Sequence, residues 1–172
     1  MMRMISKKVC LLGDFAVGKT SLVRRFVYNR FSDRYVSTIG VKVSRKTVVI
    51  PRTEDVVELT MMLWDLAGSE EFDQVRASYL RGAAGAILVC DLTRAGTLDS
   101  LHTYAGDLVS VNPDAQLILA ANKRDLADEQ QLTPAQIEAV AAGLSAPCYL
   151  TSARTGDEVE TLFQHLGQLL VI

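Results

Sequence analysis

The chain has 172 residues, of which 49% are hydrophobic and 22% charged, and its formal net charge is -2. That length predicts a single domain over residues 1–172 with one sizeable core. The composition excludes a disordered chain, and the faintly acidic balance argues against a sequence-independent nucleic-acid binder, which needs a basic surface. In chain order, Met1–Ser6 is too short for a signal peptide. Val9–Leu12 is a short apolar run stopped by Gly13, the pattern of a buried strand. Lys19–Tyr28 carries Leu22, Val23, Phe26 and Val27 at helical spacing. Val41–Ile50 and Val56–Leu66 read as a hairpin around the turn Pro51–Asp55, the one antiparallel contact. Ala86–Asp91 and Leu117–Ala121 are further buried strands, and Pro147–Leu150 a last short one. Helices are expected over Thr97–Val111, Pro134–Leu144 (with Thr133 as N-cap) and Gly156–Leu170. Cys10, Cys90 and Cys148 each sit in an apolar run and read as buried thiols, while His102 and His165 are expected at the surface without metal-ligand company. No run reaches the roughly 18 apolar residues of a membrane helix.

Alternation of strands and helices predicts an α/β fold: a six-stranded, mostly parallel sheet with one antiparallel hairpin strand and helices on both faces. Gly13-Asp14-Phe15-Ala16-Val17-Gly18-Lys19-Thr20 fits G-x-x-x-x-G-K-[ST] between a strand and a helix, which makes this a P-loop NTPase fold. Glycines let successive backbone N–H groups point inward as an anion nest, and the helix beginning near Lys19 and Ser21 adds its positive end. The Lys19 ammonium reaches the β- and γ-phosphates and the Thr20 hydroxyl holds Mg²⁺. This motif specifies a nucleoside triphosphate and leaves the base open.

Asn122-Lys123-Arg124-Asp125 follows the apolar strand Leu117–Ala121, at the strand end where open α/β sheets bind ligands. A carboxylate at Asp125 can accept from guanine N1–H and the exocyclic amine, a pair adenine does not offer; sites built on such pairing can reject the wrong ligand by about 10⁴-fold or more. Lys123 lays its aliphatic stem across the base plane.

Together these residues resemble the Ras superfamily of small GTPases over nearly the whole chain, the Rab branch most of all. The run from Phe31 to Gly40 resembles a Rab switch I, Trp64-Asp65-Leu66-Ala67-Gly68 resembles W-D-T-A-G, and Tyr79-Leu80-Arg81-Gly82-Ala83 resembles Y-Y-R-G-A. The resemblance implies that Phe31 stacks edgewise on guanine and Tyr35 covers the phosphates. Thr38 binds Mg²⁺ and the γ-phosphate, Asp65 holds Mg²⁺ through water, and the Gly68 N–H senses the γ-phosphate. The Ser152-Ala153 backbone meets guanine O6, with Arg154 beside it. The catalytic set so implied is Lys19, Thr38, Gly68 and position 69. The effector surface is Ile39, Val43, Trp64, Phe72 and Tyr79, and the implied partners are effectors, exchange factors and GTPase-activating proteins acting through the two switches. A cytoplasmic monomer is implied, with GTP or GDP and Mg²⁺ bound.

Four features depart from that pattern: Val43 stands where the family's effector surface has phenylalanine, which weakens the match to ordinary Rab effectors. Ser69 stands where the family has a water-orienting glutamine, and serine is too short for that task. Phe15 replaces a small P-loop residue and stands where an arginine finger would reach, a contribution of about 10³–10⁵ in rate. Both point to weak intrinsic hydrolysis, unless Glu70, Glu71 or a partner's residue substitutes. Two readings stay open: a slow switch, or a GTP-binding interaction module with little hydrolysis. The chain also ends at Val171-Ile172 without a prenylation motif. Peripheral membrane association would then require a lipidated tail or a partner outside this sequence.

Overall fold

In the computed structural model, residues 2–32, 40–68 and 77–172 are described. Strand β1 (Met2–Leu12) leads into α1 (Lys19–Tyr28), followed by the hairpin of β2 (Val41–Pro51) and β3 (Val56–Leu66). Next come β4 (Ala83–Asp91), α2 (Gly96–Asp99), α3 (Leu101–Val111), β5 (Gln116–Asn122), α4 (Pro134–Gly143), β6 (Cys148–Leu150) and α5 (Val159–Leu170). The six strands form one sheet in the order β2-β3-β1-β4-β5-β6. Only β2 and β3 pair antiparallel; every other neighbour is parallel. The P-loop NTPase fold expected from the sequence is therefore present.

Side chains alternate across β1, so Val9 and Leu11 enter one core while Cys10 and Leu12 enter the other. The first core lies under α1 and α5, where the Phe26 and Phe163 rings stack at 3.8 Å between centroids and 5° between planes. The second lies under α2, α3 and α4. Strand β4 is almost continuously apolar because it is covered on both faces. Among the described residues, no helix is long and apolar enough to cross a membrane.

Several boundaries differ from the sequence expectation. Strand β1 begins at Met2, not Val9, because its first half, which mixes Met2, Met4 and Ile5 with Arg3, Ser6 and Lys7, pairs in register with β3 from Met2↔Val56 to Leu11↔Asp65. Strand β4 likewise begins at Ala83. The last helix begins at Val159, not Gly156, since Gly156 (φ 85°) and Glu158 (φ 61°) are left-handed and cannot continue a right-handed helix. Helix α4 has the expected cap: the Thr133 hydroxyl accepts from the Gln136 N–H at 3.3 Å, and the Gln136 side chain accepts from the Thr133 N–H at 2.8 Å. Cys10 and Cys90 are buried, and burial pushes each thiol up to about 12. Cys148 is only half-buried, because its strand is the sheet's other edge. His165 is also half-buried, with Nδ1 2.7 Å from the Tyr149 hydroxyl.

The order of strands reverses direction beside β1: the chain leaves β1 toward the hairpin edge and leaves β4 toward the other. The C-terminal ends of β1, β4 and β5 thus meet at a topological switch point, which is where open parallel sheets form a ligand crevice.

Candidate nucleotide-binding site

The loop after β1 is shaped by steric limits on its glycines. A Cβ on Gly13 would lie 2.3 Å from the Val89 carbonyl oxygen, and one on Gly18 would lie 2.2 Å from Asn122 Nδ2. Gly18 also has φ 105°.

Side-chain donors hold five successive carbonyls of this loop. Lys19 Nζ donates to the Gly13 and Asp14 carbonyls at 2.8 and 2.9 Å. Arg94 Nη2 donates to Phe15 O at 2.7 Å, Lys123 Nζ to Ala16 O at 2.9 Å, and Asn122 Nδ2 to Val17 O at 3.1 Å. In a trans peptide the N–H points opposite to the carbonyl. Holding the carbonyls of residues 15–17 on these donors therefore turns the N–H groups of Ala16, Val17 and Gly18 away from them, as an anion nest requires. The Gly18 carbonyl accepts from Leu22 N–H and starts α1.

Lys19 is 6% exposed. Burial lowers its ammonium pKa to about 8, and the Asp65 and Asp14 carboxylates oppose that shift. Asp65, at the end of β3, is buried as well, which raises its pKa. Its Oδ2 accepts from the Thr20 hydroxyl, and its Oδ1 has no hydrogen-bond partner among the described residues. A buried carboxylate with an orphaned oxygen beside a hydroxyl is a hard oxygen donor set that suits Mg²⁺. Among the described residues there is no cluster of three or more His, Cys, Asp or Glu that would hold a metal alone.

At the far end, Asn122 is a structural tie. Besides Val17, it joins Thr151 Oγ1 and the Ala153 N–H, which donate to its Oδ1 at 3.1 and 3.3 Å. Lys123 adopts φ 72° and its ammonium pairs with Asp91 Oδ2 at 2.8 Å. The exposed Asp125 carboxylate accepts from Ser152 Oγ at 2.8 Å. Arg25 Nε donates to Ala153 O at 2.8 Å, fastening α1 to the loop after β6. Arg154 places its guanidinium 5.9 Å from the centre of the Phe31 ring.

One cleft of about 260 Å³ runs between these ends. Phe15, Lys19, Thr20 and Gly68 line it, and so do Phe31, Lys123, Asp125 and Arg154. Ala16, Gly18, Ser21, Asn122 and Ala153 also border it. Phe15 is 49% exposed on the rim. Gly68 presses on the loop: a Cβ there would lie 2.6 Å from Asp14 C, Gly13 O and Phe15 N alike. Gly13, Val17 and Ser152 are buried behind the cleft wall. The Asp14 carboxylate turns away to accept from Ser100 Oγ at 2.7 Å and the Tyr104 hydroxyl at 3.1 Å. Tyr35, Thr38, Ile39, Ser69 and Phe72 lie outside the described residues.

On the hairpin, Val43 is exposed and sits directly across from Trp64. Trp64 lies 6.3 Å from Tyr79, centroid to centroid, with the Lys8 ammonium 3.7 Å over its ring. Val43, Trp64 and Tyr79, expected on the effector surface, are therefore neighbours in one patch. Sequence reasoning missed Arg24, which lines the cleft, and both Asp91 and Arg94. Asp91 had a signal: a carboxylate ending a buried strand, in register with Asn122. Arg94 had none.

The fold and this cleft define the class, a P-loop NTPase. Comparison with known proteins then narrows it. A family model described as Ras family matches residues 8–171. The chain is 38% identical over 168 residues to "GTP-binding protein ypt5" of Schizosaccharomyces pombe, covering 96% of this chain and 78% of that one. It is 36% identical over 164 residues to "Ras-related protein SEC4" of Saccharomyces cerevisiae, covering 95% and 74% of the two chains. The SEC4 protein of Candida albicans is 30% identical over 164 residues, covering 95% and 76%. The chain belongs to the Ras superfamily of small GTPases and lies close to its Rab, Ypt and Sec4 branch.

Proposed function

We propose that this chain is a GTP/GDP switch with slow intrinsic hydrolysis, acting as a monomer in the cytoplasm. The observation that carries the reading is the single cleft bordered by both Lys19-Thr20 and Asp125. The N–H groups of residues 16–18 and the Lys19 ammonium receive the phosphates. Lys123 and Asp125 receive guanine, with Phe31 and the backbone of Ser152 and Ala153 beside it. Thr20, Thr38 and, through water, Asp65 would hold Mg²⁺. A bound magnesium ion supplies charge neutralisation on the β- and γ-phosphate oxygens.

Thr38 and the Gly68 N–H find a partner only while the γ-phosphate is present. Hydrolysis removes that anchor, and the two switches relax. Effectors, exchange factors and GTPase-activating proteins then read the state through switch I, switch II and the Val43–Trp64–Tyr79 patch, each by its differential affinity. A membrane-bound pool requires a lipidated tail or a partner.

Ser69 cannot orient the attacking water as glutamine does, and Phe15 occupies the rim where an arginine finger would enter. A second reading, a GTP-binding module that scarcely cycles, is favoured by the same exposed Phe15. Releasing and identifying the co-purified nucleotide, then following one turnover of loaded GTP, tests both. The expected result is guanine nucleotide and a rate below one on the order of 10⁻⁴ s⁻¹. Adenine nucleotide would contradict the binding reading, and fast unaided hydrolysis would contradict the rate. Retention of intact GTP over days would favour the module.

A further inference from the structure

We propose that Arg94 is a positioning residue of the cleft, whose guanidinium straps the Phe15 carbonyl to Asp91 and so governs how fast nucleotide leaves. The inference rests on the guanine-nucleotide reading above. Arg94 lies just beyond β4, does not border the cleft, and touches no group assigned to the nucleotide. It acts through the loop. Nη2 donates to Phe15 O at 2.7 Å while Nε donates to Asp91 Oδ2 at 3.0 Å. A planar fork engaged at two points fixes a distance and an angle, which a single ammonium cannot do.

The anchor at the other end is firm. Asp91 Oδ1 accepts from the Thr93 N–H at 2.8 Å and the Thr93 hydroxyl at 2.7 Å. The Oδ2 atom that takes Arg94 also takes the Lys123 ammonium, which in turn donates to Ala16 O. Two successive carbonyls of the phosphate loop are thus fastened through one buried carboxylate. Lys123 serves the base as well as the loop, whereas Arg94 serves the loop alone. Fixing the Phe15 carbonyl aims the Ala16 N–H at the phosphates. Loss of the strap should therefore weaken the hold on phosphate and leave base choice untouched.

The test is the dissociation rate of a fluorescent GDP from the full chain with magnesium, for wild type, Arg94→Ala, Arg94→Lys and, as a control at the hairpin tip, Arg52→Ala. Release is expected to be about tenfold faster in Arg94→Ala, the scale of one charge-assisted hydrogen bond. Arg94→Lys should fall between it and wild type, and Arg52→Ala should match wild type. The ratio of GDP to IDP affinity, which reports on the base amine, should not change in any variant. Release from Arg94→Ala within twofold of wild type would overturn the proposal, as would full restoration by lysine or a changed GDP to IDP ratio. If Arg94→Ala fails to fold by circular dichroism, the lysine variant decides alone: wild-type release overturns the strap and faster release supports it. A wild-type chain that takes up no GDP would overturn the parent reading as well, and the first measurement reveals this.

Discussion

Lys19 is a cation that the fold withholds from water, and the consequence is a proton linked to ligand binding. Its pKa of about 8 in the free cleft lies below the 10.5 of an exposed lysine. Between those values the unfolded chain binds more protons than the folded one, so this group's contribution to nucleotide-free stability rises with pH across that window. Phosphates beside the ammonium favour its charged form and raise the pKa. GDP binding near pH 8.5, just above the free-cleft pKa of about 8, is therefore expected to take up a proton. Calorimetry in buffers of different ionisation enthalpy checks this: equal apparent enthalpies would refute it. Lys19, Thr20 and Asp125 were legible as candidate site residues because their chemistry is written in contiguous motifs, and all three line one cleft. The Arg94–Phe15 bond was not, because it joins residues 79 positions apart and depends on where β4 ends. Asn122 was legible as a candidate site residue but not as the tie that joins Val17, Thr151 and Ala153, for the same reason.

Among the elements, α1, which follows the phosphate loop, packs against α5. Their contact is the stacked Phe26 and Phe163 rings, both buried. Phe163→Ala removes a fully buried ring and is expected to cost about 3–5 kcal/mol. Chemical denaturation of the nucleotide-loaded protein measures it, and a loss below about 1 kcal/mol would mean that the two helices repack. Strand identities followed from short apolar runs bounded by turn residues, and the first helix from its apolar stripe at helical spacing, since burial imposes both patterns. Boundaries followed less well. The first half of β1 interleaves Met2, Met4 and Ile5 with Arg3, Ser6 and Lys7, so no continuous apolar run revealed a strand that β3 recruits by backbone pairing. The start of α5 is set by two left-handed residues, Gly156 and Glu158, a backbone property to which the apolar stripe is blind.

For the whole molecule, the sheet order brings three strand ends together, and the phosphate and base motifs border one cleft although about a hundred residues separate them in the chain. That convergence was implied by the motif pair and required the fold to realise it. The most direct measurement is nucleotide preference of Asp125→Asn against wild type, by calorimetry with GDP and with xanthosine diphosphate in the presence of magnesium. An amide at position 125 meets the guanine amine donor to donor but complements the xanthine carbonyl. The account expects wild type to prefer GDP, and the variant to lose about 10²-fold or more in GDP affinity and to prefer the xanthine nucleotide. Unchanged GDP binding in the variant, with no gain for xanthine, would show that Asp125 does not read the base.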